Sequence, residues 1–130
     1  MREFVRHQAG IPLRIYHQDS VHDFIMLNVS LGGFACLGSV KIDINQEVKI
    51  EIPVLKPPYV GRGRIVWCKK NDDLFEIGIE NTGSRDRTCL NMVEQISHIE
   101  HYRREINEAE GRELSGEEAA LEWTSTYGGS

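Results

Sequence analysis

Between residues 12 and 80 the chain is cut into short runs in which apolar and polar residues alternate, with turn-forming residues between them. A period of two places successive side chains on opposite faces of an extended strand. Pro12–His17 puts Leu13 and Ile15 on one face and Arg14 and Tyr16 on the other. Asp23–Val29 is richer in apolar residues and reads as a more deeply buried strand. Gly33–Leu37 follows the turn Ser30-Leu31-Gly32. Glu47–Ile52 alternates cleanly, with Val48, Ile50 and Ile52 inward. Pro53 and Pro57-Pro58 then break the pattern and mark a loop. Arg62–Lys69 resumes it, with Ile65 and Trp67 assigned to one face and Arg64, Val66 and Cys68 to the other. Asn71-Asp72-Asp73 reads as a hairpin turn, and Leu74–Glu80 closes the series with Phe75, Ile77 and Ile79 in phase. Six short strands at this spacing predict a mainly β protein built on a small six-stranded antiparallel barrel.

The period changes after Asn81-Thr82-Gly83-Ser84. Cys89, Met92, Val93, Ile96, Ile99, Tyr102 and Ile106 predict an amphipathic helix from about Arg85 to about Glu110, with Gly111 as its stop. Ser115 and Glu118 match a capping box. That predicts a short second helix through Ala119, Ala120, Leu121 and Trp123, with Thr124–Ser130 as a frayed tail. Three regions follow: an arm over residues 1–10, a barrel plus helix over 11–110, and an acidic extension over 111–130 containing the short helix.

Net charge is −5 over 130 residues, but it is not evenly spread. Residues 1–99 hold 12 Lys and Arg against 12 Asp and Glu, a balance of zero, whereas residues 100–130 hold 3 against 8, a balance of −5. Residues 1–18 carry Arg2, Arg6 and Arg14 against Glu3 alone. The acidity therefore does not exclude a small anionic ligand at a locally basic site. The longest apolar runs, such as Phe24–Leu27 and Gly33–Leu37, are four or five residues, against about 20 for a membrane-spanning helix. The first residues also lack the apolar core of a signal peptide. No membrane insertion and a cytoplasmic location are expected.

Cys36, Cys68 and Cys89 are odd in number and widely spaced, which speaks against a disulfide scaffold or a zinc site and fits a reducing compartment. His98 and His101 have no third ligand in view and read as surface or half-buried side chains. Motifs of hydrolytic or phosphate-loop enzymes are absent, so no enzymatic activity and no metal are expected. The neutral body lacks the basic groove and interleaved aromatics of a nucleic-acid binder, so no nucleic-acid polymer is expected as partner.

Two clusters do not follow from the needs of a barrel core. One is Arg2-x-x-x-Arg6 in the arm. The other is Asn28-x-Ser30-x-x-Gly33, where the second and third strands meet. Guanidinium forks match phosphate oxygens and the O6/N7 edge of guanine in pairs, and they stack on bases. Asn28 and Ser30, two apart in extended chain, offer donors and acceptors on one face. Gly33 permits a turn, or an approach to a ligand, that a β-carbon would block. Such a set suits a guanine nucleotide with exposed phosphates, bound without hydrolysis.

In order, spacing and position, these two clusters resemble the signature of the PilZ domain family: an arginine pair, then Asp or Asn, x, Ser, x, x, Gly. Gly63-Arg64-Ile65-Val66-Trp67 and Phe75-Glu76-Ile77-Gly78-Ile79 are similar to that family's final strand pair. The resemblance covers about residues 1–100. It implies a split barrel with a C-terminal helix and a receptor role for the bacterial second messenger cyclic di-GMP. Arg2 and Arg6 would clasp guanines and phosphates, Asn28, Ser30 and Gly33 would line the barrel side, and Trp67 matches a position near the ligand in some relatives. Met1 stands where a further arginine often precedes the pair, so the resemblance carries no expectation of several ligands per chain or of very tight binding.

The expected function is therefore a cyclic di-GMP receptor that relays the signal to an unidentified protein effector. Ordering the arm opposes the arginine contacts at similar magnitude, so an affinity around micromolar is expected. The alternative is a PilZ-like adaptor that binds no nucleotide and acts only through protein–protein contact, with Leu121 and Trp123 of the C-terminal helix as part of its surface.

Overall fold

The computed structural model describes residues 10–83 and 86–127. The alternating runs form six strands: β1 (Ile11–His17), β2 (Ser20–Ser30), β3 (Gly33–Gly38), β4 (Glu47–Ile52), β5 (Tyr59–Asn71) and β6 (Leu74–Asn81). All neighbours are antiparallel, and the order β1-β2-β3-β6-β5-β4 closes on itself. The closing seam is short, with Arg14, Ile15 and Tyr16 of β1 facing Glu51, Ile50 and Lys49 of β4. Inward side chains fill the interior, among them Ile11, Leu13, Ile15, Ile50, Ile65, Ile77 and Ile79. Burying one such side chain is worth about 1.5–3 kcal/mol relative to leaving it in water. The β1–β2 and β5–β6 hairpins turn at Gln18-Asp19 and Asp72-Asp73, with Gln18 at φ 56° and Asp72 at φ 60°. A short polar side chain such as that of Asp72 tolerates this left-handed conformation readily.

Two strands differ from the alternation read in the sequence. The Asp23–Val29 segment is not deeply buried throughout. Phe24 and Met26 point inward, while Ile25 faces out and is 42% exposed. Ile65 and Trp67 do not share a face either: Ile65 is fully buried and Trp67 is 40% exposed. The cause is a bulge in β5 between Ile65 and Trp67, where the register against β6 shifts. A bulge adds one residue to one strand and so reverses the facing of everything after it.

Helix α1 (Arg87–Glu110) buries Cys89, Met92, Ile96 and Ile99. Asp86 caps its start by accepting from the amides of Thr88 at 3.1 Å and Cys89 at 3.3 Å. Gly111, at φ 68°, ends it in the left-handed conformation. Helix α2 (Gly116–Thr126) starts at the Ser115–Glu118 capping box and packs on α1 and β1. It runs further than the sequence predicts. Thr124, assigned above to a frayed tail, is 1% exposed, and its hydroxyl donates to the Ala120 carbonyl at 2.7 Å. That bond satisfies the hydroxyl inside the helix and lets Thr124 join the buried face. Residues 128–130 of the predicted tail lie outside the described residues.

The contact between the helices is partly polar. The Tyr102 hydroxyl donates to Glu122 at 2.9 Å, and Arg112 meets the other oxygen of that carboxylate at 2.5 Å. The tyrosine hydrogen bond first, and the guanidinium next, hold Glu122 below the ordinary glutamate value of 4.5. A carboxylate depressed in the folded state adds stability above its unfolded value, and that stability is lost as pH falls through the folded value. Thermal melts of wild type and Glu122→Gln are therefore expected to differ above about pH 4.5 and to converge in more acid solution. A gap that persists unchanged at low pH would rule this out. His98 stacks on Trp123 at 5.6 Å between ring centroids, in the same inter-helix contact. The three cysteines are free. Among the described residues no helix is long and apolar enough to cross a membrane.

Candidate functional site

Phe24, Met26, Asn28 and Ser30 are all even-numbered, so an unbroken β2 would carry Asn28 and Ser30 into the core behind Met26. A second bulge prevents this. The register against β3 pairs Met26 with Cys36 and Asn28 with Ala35, leaving Leu27 as the extra residue. Beyond it Asn28 and Ser30 face outward and Val29 lies opposite Phe34.

The two bulges bring the outward residues of four strands into two rows. One row runs Asn28, Ala35, Gly78, Trp67 across β2, β3, β6 and β5; the next runs Ser30, Gly33, Glu80, Arg64. All of these residues except Arg64 line an open depression of about 480 Å³, together with Val66 and Glu76. Asn28 and Ser30 form one side and the Trp67 indole the other. The floor is made of the small residues Ala35 and Gly78. A β-carbon on Gly78 would strike the indole of Trp67, so glycine here is what lets the ring lie against the sheet.

At Gly33 the fold itself calls for glycine. A β-carbon there would run into the Ile79 carbonyl of β6. The close approach is by the protein's own backbone, and Gly33 shapes the floor by letting two strands come together. The Ser30 hydroxyl accepts from the Gly32 amide at 3.2 Å, so the turn and the site share this side chain.

Asn81 was not singled out in the sequence, yet it fastens the turn. It is buried, donates from Nδ2 to the Leu31 carbonyl at 3.3 Å, and gives its backbone amide to the Gly32 carbonyl at 2.8 Å. Its Oδ1 accepts from the Gly83 amide at 2.9 Å. The signal for this was the Asn-Thr-Gly run at the end of β6, a local side-chain-to-backbone turn in form.

The charges around the depression are mixed. Arg64, next to the depression on β5, bonds Glu80 at 2.6 Å. Lys69 extends over Trp67 with its ammonium 6.0 Å from the ring centroid. Arg2 and Arg6 lie outside the described residues. The described chain begins at Gly10, whose amide donates to the Met26 carbonyl at 2.8 Å, beside the β2 bulge. Among the described residues no cluster of three or more His, Cys, Asp or Glu side chains is placed to hold a metal ion. An aromatic wall, a flat floor and paired amide and hydroxyl groups suit a planar polar ring.

The family model described as PilZ domain matches residues 1–96. The chain belongs to the PilZ domain family. Its barrel is also similar to solved PilZ structures. The PilZ domain of CeSA from a cellulose-synthesizing bacterium is covered completely by 73% of this chain, at 19% identity and a TM-score of 0.55. The PilZ domain of YcgR from Escherichia coli, solved with c-di-GMP, matches over 98% of its length and 85% of this chain, at 13% identity and a TM-score of 0.62. The Bacillus subtilis inhibitor of motility MotI/DgrA matches over 51% of its length and 82% of this chain, at 14% identity and a TM-score of 0.59. At these identities the likeness is one of fold. The sequence matches no curated protein. The PilZ match ends inside α1, so the second half of α1 and the whole of α2 lie beyond it.

Proposed function

We propose that this PilZ domain protein is a bacterial cytosolic receptor for cyclic di-GMP that passes the signal to a separate protein partner. The observation that carries the reading is the double bulge. It lifts Asn28 and Ser30 out of the core and sets them across a small-residue floor from Trp67. In this reading a guanine lies on that floor, and Arg2 and Arg6 supply the cations for the phosphates. Arg6 stands four residues before Gly10, and four residues of extended chain reach about 14 Å. Asn28 lies about 7 Å along β2 from the Met26 carbonyl that holds Gly10. The arm is therefore long enough to bring a guanidinium to the depression.

One observation favours the adaptor reading. Glu76 and Glu80 both line the depression, and carboxylates there oppose an approaching phosphate. Calorimetric titration separates the two. With the receptor reading, cyclic di-GMP gives heat with a Kd of around micromolar, about −8 kcal/mol, while GTP and cyclic di-AMP give none. Absence of heat with cyclic di-GMP, together with no ordering of the arm, would overturn the receptor reading and favour the adaptor.

A further inference from the structure

The two carboxylates of the depression are not equivalent. Glu80 is neutralised by Arg64. Glu76 makes no side-chain hydrogen bond or ion pair with any described residue. Its cross-strand neighbour is Lys69, but that ammonium lies over the Trp67 ring. A carboxylate that no described residue neutralises repels phosphate. The part of a nucleotide that meets Glu76 must therefore be uncharged and rich in donors. Guanine has such an edge, since N1–H and the N2 amino group point the same way and a carboxylate accepts from both at once. Adenine presents an unprotonated N1 on that edge, which a carboxylate repels.

The placement fits a base. Glu76 is two residues from Gly78 along β6, about 7 Å. Asn28 is two strand spacings across the sheet from Gly78, about 10 Å. A purine lying on Ala35 and Gly78 against Trp67 has polar groups at both its ends.

We propose that Glu76 reads the N1–H and N2 amino edge of the bound guanine and so sets the preference for guanine over adenine and over bases without a 2-amino group. This assignment rests on the cyclic di-GMP reading above.

The test compares wild type, Glu76→Gln and Glu80→Gln by calorimetry against cyclic di-GMP and cyclic di-IMP. In cyclic di-IMP hypoxanthine replaces guanine and the 2-amino group is missing. Wild type is expected to prefer cyclic di-GMP by at least about tenfold. A glutamine carbonyl still accepts from N1–H, but its amide group cannot accept from the 2-amino group. Glu76→Gln is therefore expected to bind cyclic di-GMP about tenfold more weakly, to bind cyclic di-IMP within about threefold of wild type, and to lose the preference. Glu80→Gln should keep it. Melting temperatures of all three proteins verify the fold. An unchanged preference in Glu76→Gln, or a larger loss in Glu80→Gln, overturns the assignment and leaves the receptor reading intact. A wild-type protein that binds neither dinucleotide overturns both.

Discussion

Alanine at either Arg2 or Arg6 is expected to take cyclic di-GMP binding out of the calorimetric range while moving the melting temperature by less than about 1 °C. The two halves of this expectation have separate grounds. The depression is lined by Glu76 and Glu80 and by no arginine or lysine, so the positive charge a phosphate needs has to be brought to it. Each lost guanidinium contact to guanine is worth roughly 1–3 kcal/mol, or about 5- to 150-fold, and contacts to phosphate are charge-assisted and comparably strong. An arginine that makes both contacts carries about 4 kcal/mol at mid-range, so from around micromolar its loss moves the Kd to about millimolar, where heats are no longer resolved. Stability is another matter, because the described core begins at Ile11. Wild-type affinity in both variants would sink the assignment of the arm. A large fall in melting temperature would show that the arginines serve the fold.

The largest effect on stability is expected at Gly33. In Gly33→Ala the new β-carbon runs into the Ile79 carbonyl and comes within 3.1 Å of its carbonyl carbon and 3.2 Å of the Glu80 Cα. These are backbone atoms of β6, which is hydrogen-bonded to β3 on one side and β5 on the other. They cannot rotate away as a side-chain tip would. The cost is put at about 3 kcal/mol, at the upper end of overpacking effects, or roughly 10 °C in melting temperature for a chain of this size. Two other glycines calibrate the measurement. Gly111→Ala meets no atom within 4 Å but sits at φ 68°, and should cost about 1 kcal/mol from backbone strain alone. Gly83→Ala would find its nearest neighbour at 3.6 Å, an ordinary contact, without a left-handed φ. It should be close to neutral. Thermal or denaturant melts that rank Gly33→Ala no worse than Gly83→Ala would refute the account of the β3–β6 approach.

The barrel was legible because alternation over β1, β4 and β6 is a direct image of inside and outside. Helix ends were legible as well, since Gly111, Ser115 and Glu118 act through their own local geometry. The bulges were not, although their traces were present. Asn28 and Ser30 occupy the inward parity set by Phe24 and Met26, and Trp67 shares the parity of Ile65. Polar residues at core parity imply either a buried cost or an added residue, and sequence alone does not say where the addition falls. The Asn-x-Ser-x-x-Gly spacing picked out three residues that line one depression. The reason for Gly33 lay in β6, a strand more than forty residues away in sequence, and no local pattern carries that information. The Arg64–Glu80 pair was hidden for the same reason, since it depends on which two strands become neighbours.

The short seam between β1 and β4 has a consequence for how this protein can be recognised. A sheet that closes on itself presents few unpaired amides and carbonyls, and partners that bind by adding a strand need a row of them. Pairing across this seam spans only Arg14–Tyr16 and Lys49–Glu51. At one end of that stretch both strands carry proline, Pro12 in β1 and, opposite it, Pro53 directly after β4, which have no amide hydrogen to offer. α2 packs against β1 there, with Glu117 and Leu121 facing Pro12, Pro53 and Val54 across a shallow groove. That end of the seam is thus chemically blunted and overlaid by a helix. Among the described residues, the closed barrel therefore offers a visitor mainly the side chains of its outer surface and little free main chain.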